Sequence, residues 1–192
     1  MNSQSNEREL ILNEEILIQN CIGNNRRAQE TLYSNYYKEL YLIAMRYLSD
    51  HHDAEDAIIL CFTKVFKNLN TFNYQGQGSL GKWIRTILIN ESIRLLNKRN
   101  QFDFQSDLES INLPITTANS LEQMQASDIL QLIEALPTGY RTIFNLYAIE
   151  GFSHKEIAAL LKISENTSKT QLKKARTSLM NSINKEKAYG TN

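Results

Sequence analysis

Apolar residues in this chain recur three and four positions apart rather than two, the period of helices that bury one face, and only two prolines interrupt the pattern. Ile11, Leu12, Ile16, Leu17 and Cys21 mark a first helix, ended at Gly23 and Asn24. Over residues 26–48, Leu32, Tyr36, Leu40, Ile43, Ala44 and Tyr47 form a long stripe, closed by Ser49 and Asp50. Asp53 is placed to cap a third helix with Ala57, Cys61, Val65 and Leu69 on one side, which stops at the turn-rich NLNTFNYQGQGS. Ser79 is placed to cap a fourth, which carries Trp83, Ile84, Ile87, Leu88, Leu95 and Leu96 and finishes in the basic NKRN.

The pattern dissolves over residues 101–120, a polar and acidic stretch containing Pro114, and returns near Leu121 with a helix through Leu136. Pro137 suits the first turn of the next helix, whose apolar side is Tyr140, Ile143, Phe144 and Tyr147 and whose end is Gly151. Ser153 and Glu156 have the spacing of a capping box. A short helix with Ile157, Leu160 and Leu161 inward follows, then a turn at Lys162 and Ile163, and Ser164 is placed to cap a last helix on Leu172, Ala175, Leu179 and Ile183. With no convincing strand, the expected fold is all-α: two small helical domains joined by a flexible linker. The expected boundaries are a flexible N-terminus at 1–10, a first domain at 11–100, the linker at 101–120, a helix-turn-helix domain at 121–184 and a flexible tail at 185–192.

Composition changes this picture little: 192 residues, 42% of them hydrophobic, supply enough material for two compact cores. Cys21 and Cys61 both fall within apolar helical patterns and read as reduced core residues. The start MNSQSNERELIL lacks a secretory signal and no apolar run approaches the length of a membrane span, so a cytoplasmic chain without membrane insertion is expected.

Charge changes the picture more. The formal net charge is zero, but residues 82–99 carry five basic residues against Glu91, a net +4, and residues 162–187 carry seven against Glu165 and Glu186, a net +5. Between Arg99 and Arg141 lie six acidic residues and no Lys or Arg. Two basic blocks flank an acidic spacer.

On the last helix Lys169, Lys173 and Arg176 share one face, with Thr170, Gln171 and Lys174 extending it. Such a run is by itself equally at home on a solvated surface. Preceded by a short capped helix and a tight turn, it becomes a helix-turn-helix, in which lysines neutralise phosphates while Thr170 and Gln171 meet base edges in a DNA major groove. The other block interleaves aromatics with cations: Phe72, Tyr74 and Trp83 stand near Lys82, Arg85, Arg94, Lys98 and Arg99. Exposed rings beside cations suit single-stranded nucleic acid, although the spacing of Trp83 equally fits a core residue. Asn90, two turns beyond Trp83, has the groups to read a base edge. The three histidines lack partners at metal spacing, and no phosphate-cradling loop or activated nucleophile is present, so neither cofactor, metal nor enzymatic activity is expected.

Together these motifs resemble the extracytoplasmic-function group of bacterial sigma factors, which keep sigma regions 2 and 4. HDAEDAIILCFTKVF is similar to that group's DAED helix, GSLGKWIRTILINESIRLLNKR to its promoter-melting helix, and the stretch from LPTGYRTIF to QLKKAR to its region 4. The resemblance implies a chain that binds core RNA polymerase, sets its region 4 helix on the −35 promoter element and opens the −10 element with region 2. It would put Lys169, Thr170, Gln171, Lys173, Lys174 and Arg176 on the −35 DNA. Phe72, Asn73, Tyr74, Gln75, Trp83 and Asn90 would hold a flipped −10 base, and Lys82, Arg85, Arg94 and Lys98 the strand backbone. Asp53, Asp56, Ile59, Leu60, Thr63 and Lys64 would grip the polymerase. The family commonly has a Gln–Glu pair where this chain has Ile59 and Leu60, which implies a greasier contact. Promoter DNA, core polymerase and, as is common in this group, an anti-sigma factor are the implied partners. The rival readings are a LuxR-like helix-turn-helix regulator, which explains the lysine helix but not the Trp83 or DAED segments, and a polymerase-binding adaptor that reads no DNA.

Overall fold

In the computed structural model the chain is described over residues 13–98 and 126–189. It divides into two compact units that part between Leu95 and Leu96, in the last turn of the helix Ser79–Lys98, which is described with the first unit. Among the described residues every regular element is helical, as the periodicity predicts. Ile11, Leu12, Arg99 and the linker expected at 101–120 lie outside the described residues.

The first unit comprises α1 (Glu14–Ile22), α2 (Arg26–Leu48), α3 (His51–Asn68), a 3-10 turn (Leu69–Thr71) and α4 (Ser79–Lys98). α1 starts because the Asn13 side chain accepts the free N–H groups of Glu15 and Ile16 at 3.1 and 3.2 Å. Its inward face is Leu17, Ile18 and Cys21, whereas Ile16, expected in the stripe, points to solvent. The left-handed residue that ends it is Asn24 at φ 57°, not Gly23; asparagine tolerates that region better than other side chains. α3 is capped by Asp50, whose carboxylate accepts the Asp53 N–H at 2.9 Å, so Asp53 is not the cap but a buried member of the first turn. Likewise Ser79 is the first residue of α4 rather than its cap, and its hydroxyl donates to the Gly76 carbonyl at 2.6 Å.

Leu32, Leu40 and Tyr47 of α2, Ile58 of α3 and Leu80, Ile84 and Leu88 of α4 are all fully buried, each worth about 1.5–3 kcal/mol. The Cys61 thiol donates to the Ile84 carbonyl at 3.6 Å. Burial pushes the Cys21 and Cys61 thiols up to about 11 and about 12, so neither is the reactive thiolate at neutral pH. α4 approaches α2 closely at Gly81, where a Cβ would stand 3.1 Å from the Tyr36 ring.

The second unit comprises α5 (Ala126–Glu134), α6 (Thr138–Phe144), a π-turn (Asn145–Ile149), α7 (His154–Leu161) and α8 (Glu165–Tyr189). The buried Arg141 of α6 donates to the carbonyls of Glu134 and Leu136 at 2.7 and 3.3 Å, satisfying groups that the end of α5 leaves without helical partners. The helix expected to run unbroken to Gly151 instead widens after Phe144, with the Glu150 N–H donating to the Asn145 carbonyl at 2.9 Å. Gly151 then turns the chain at φ 79°. The Ser153–Glu156 capping box forms as expected, and the two bonds from Ser153 hold the Glu156 carboxyl below its ordinary range. Lys162, at φ 57°, ends α7, and the Ser164 hydroxyl accepts the Thr167 N–H at 2.9 Å to start α8. Leu136, Tyr140 and Ala175 pack together with Phe144 and Leu179 around them, so α8 is held by its inner stripe with its other side outward. It continues to Tyr189, into the stretch expected as a tail.

Candidate nucleic-acid interface

α8 carries Asn166, Lys169, Thr170, Lys173, Arg176 and Thr177 on its exposed side. Gln171 is not among them. It is 4% exposed and lies one turn from the fully buried Ala175, so its expected place at a base edge is corrected to the interior. Its position alone carried the signal, since residues four apart share a helix face. Lys174 is half-buried on the flank. Asn166 and Thr177, which the lysine run overshadows, complete the polar surface.

Behind this surface stands an aromatic stack. The Tyr147 ring of the π-turn has its centroid 4.5 Å from that of the His154 ring, and the Arg176 guanidinium lies over it at 5.6 Å. His154 Nδ1 is 2.9 Å from the Ser168 hydroxyl. Burial, with Lys169 and Arg176 nearby, holds the His154 imidazole below its ordinary range, against the pull of Glu165. Arg176 therefore projects from a braced position rather than from a free stem.

In the first unit the loop between α3 and α4 brings Phe72 to Trp83, with ring centroids 4.8 Å apart and planes at 33°. Both rings are half-buried, so Trp83 is neither a core residue nor fully displayed. Tyr74 is half-buried, and Asn73 and Gln75 are exposed. The loop is fastened internally by Ser79, whose hydroxyl also accepts the Gln75 N–H at 3.2 Å. Asn90 and Arg94 follow Trp83 on the same side of α4, at offsets of two and three turns. Arg85 does not join them: it pairs with Glu39 of α2, about 200° round the helix from Trp83. Lys82 and Lys98 are exposed.

Arg94 and Lys64 have a shared duty that the sequence did not announce. Both pair with Glu91, which is 2% exposed; Arg94 Nε reaches it at 3.0 Å, and the Lys64 ammonium closes on its other oxygen. A buried carboxylate needs such partners: Lys64 ties α3 to α4 through it, while Arg94 pairs with it from within α4, three residues on.

Among the residues expected to grip polymerase, Asp53 is 3% exposed and offers no contact surface, which corrects that assignment: its side of the first turn of α3 faces the interior, while His51 and His52 are exposed. Ile59 is 59% exposed, while Leu60 and Asp56 are half-buried. Thr63 is exposed but its hydroxyl donates to the Ile59 carbonyl at 2.7 Å. Tyr33, Tyr37 and Tyr41 of α2 form a row of touching rings with Phe62 of α3, a feature the helical stripe of the sequence leaves out.

The family model for Sigma-70 region 2 matches residues 32–102, and that for Sigma-70, region 4 matches residues 126–179. The ECF RNA polymerase sigma factor SigE of Mycolicibacterium smegmatis is 25% identical over 155 residues, covering 78% of this chain and 59% of that protein, so this chain spans about three fifths of its length. The ECF RNA polymerase sigma-E factor of Escherichia coli is 22% identical over 184 residues, covering 90% of this chain and 95% of the other. The sigma factor RpoE from Bartonella quintana, solved with the anti-sigma factor NepR, shares the fold at a TM-score of 0.50 and 21% identity over 81% of this chain and 96% of that one. With both regions matched in order, each on its own helical unit, the chain belongs to the sigma-70 family of RNA polymerase sigma factors, in its extracytoplasmic-function group.

Proposed function

We propose that this chain binds core RNA polymerase, directs it to promoters with −35 and −10 elements and opens the latter, acting as an initiation factor in the cytoplasm without catalysis of its own. The observation that carries the reading is the presence, in one chain, of two surfaces suited to different forms of DNA. The side of α8 bearing Lys169, Thr170, Lys173 and Arg176 suits duplex phosphates and a major groove. The Phe72–Trp83 pair, with Tyr74, Asn73 and Asn90 nearby in sequence or on the same helix side, suits an unstacked base and its strand. Unstacking costs a few kcal/mol, which stacking of about 1–3 kcal/mol per base on aromatic rings offsets, so opening needs no nucleotide hydrolysis.

In this reading Ile59 and Leu60 make the polymerase contact apolar where the family pattern is polar. The Bartonella relative was solved with an anti-sigma factor, and a partner of that kind, covering the same surfaces, belongs to the proposal. The test is transcription reconstituted from bacterial core polymerase and genomic fragments, with transcript starts mapped. Starts that depend on the chain and share spaced −35 and −10 sequences support the reading. DNA binding indifferent to polymerase, with no starts, overturns it in favour of a stand-alone regulator.

A further inference from the structure

A carboxylate stands at the base of the aromatic loop, where attraction for DNA phosphates gives it no reason to be. Glu14, the first residue of α1, accepts a hydrogen bond from the Tyr36 hydroxyl of α2 at 3.1 Å through Oε1. Through Oε2 it accepts one from the Gly78 backbone N–H at 3.0 Å, 64 residues away in sequence. Gly78 sits at φ 85° and Gly76 at φ 100°, a path that glycine adopts and side chains resist, and a hydrogen bond at Gly78 restricts the freedom of this pair from outside the loop, beside the internal bonds of Ser79. Burial and the adjoining Glu14 hold the Tyr36 hydroxyl protonated, well above its ordinary range, so it stays a donor at any physiological pH. The Tyr36 ring is in turn wedged against Gly81 in the first turn of α4. One side chain thereby ties α1, α2 and the loop's exit into α4.

We propose that Glu14 is a positioning residue for promoter opening: its two-ended hydrogen bonding to Tyr36 and Gly78 fixes the loop that presents Phe72, Tyr74 and Trp83 to the unstacked strand. A charge-assisted bond to a backbone N–H is stronger than a neutral one and directional, which makes a carboxylate suited to hold a glycine-rich segment in one shape. Beside DNA its charge repels, so its value lies in geometry. Glu14 itself touches no base.

The inference rests on the reading of this loop as the strand-capturing element, and the experiment separates the two. Open complexes formed by the full chain with core polymerase on a duplex promoter are measured by permanganate reactivity of −10 thymines. Polymerase affinity and the thermal midpoint are measured alongside. Glu14→Ala is expected to lower opening about tenfold or more, the worth of a bond to a charged group, with polymerase affinity unchanged. Glu14→Gln, which keeps one acceptor for Gly78, is expected to recover most of the loss, and Tyr36→Phe added to Glu14→Ala to cost nothing further. Normal opening by Glu14→Ala while Tyr74→Ala fails overturns the positioning role and leaves the loop's role intact. Normal opening by Tyr74→Ala as well, or no opening by the unaltered chain, overturns both. A parallel fall in opening, polymerase affinity and thermal midpoint for Glu14→Ala, without rescue by Glu14→Gln, makes Glu14 a fold residue only and also overturns the proposal.

Discussion

At the residue scale, what a side chain does here depends on which way its helix turns it. Lys173 and Gln171 are two positions apart on α8, one exposed and the other buried. Lys173→Ala is expected to weaken promoter binding by the polymerase complex and to reduce its salt slope by about 0.9, as loss of one phosphate contact does. Gln171→Ala is expected to leave that slope alone and lower stability by about 1–3 kcal/mol in urea denaturation, since it strips a buried polar site of its partner. His154 adds a dependence on pH. Its imidazole is held below the ordinary value chiefly by burial, so the unfolded chain binds a proton more readily than the folded one. The stability this contributes is present above the ordinary histidine range and is lost as pH falls through and below it. Thermal melts from neutral pH down to mildly acid pH are expected to show a fall that His154→Gln flattens.

At the scale of elements, α3 and α4 meet over one buried ion cluster, and its two halves are unequal. Lys64 and Arg94 are about half exposed while Glu91 is enclosed, so the cations regain water if the carboxylate is removed, but the carboxylate regains nothing if the cations are. Replacing both cations, Lys64→Met with Arg94→Met, is therefore expected to cost about 3–5 kcal/mol, because it leaves the enclosed carboxylate without a charge partner. Glu91→Met is expected to cost under about 1 kcal/mol, because hydrophobic replacement of an enclosed charge is often neutral. Urea denaturation of the two variants checks the order; equal losses would show that the cluster is not governed by desolvation. The elements themselves were largely legible in the chain. α2 runs from Arg26 to Leu48 as its stripe predicts, and the Ser153–Glu156 box starts α7 where its spacing puts it. The cap of α3 was misplaced by one turn: Asp50, read from the sequence only as the close of α2, is the residue whose carboxylate accepts the Asp53 N–H, so the helix is capped three residues before the expected position.

At the scale of the whole molecule, the balance of charge bears on when DNA is bound. A chain with no net formal charge, its basic blocks offset by an acidic stretch between Arg99 and Arg141, gains little from long-range attraction to DNA. The free chain is expected to bind promoter duplex weakly at physiological salt, and core polymerase to tighten that binding by orders of magnitude by joining the two weak contacts into one bivalent interaction. Fluorescence anisotropy of a labelled promoter fragment, with and without polymerase, measures this directly. Tight and salt-insensitive binding by the chain alone would contradict it.

The helical class, the order of the elements and the two basic blocks were determined by the sequence, because amphipathic period, capping residues and charge are local properties that survive whatever the helices pack against. The enclosure of Asp53, the Glu91 cluster and the Glu14 brace on the aromatic loop were decided by tertiary structure alone. Each depends on which residues from distant parts of the chain meet. A carboxylate at position 14 and an N–H at position 78 carry no mark of one another until the helices between them have folded.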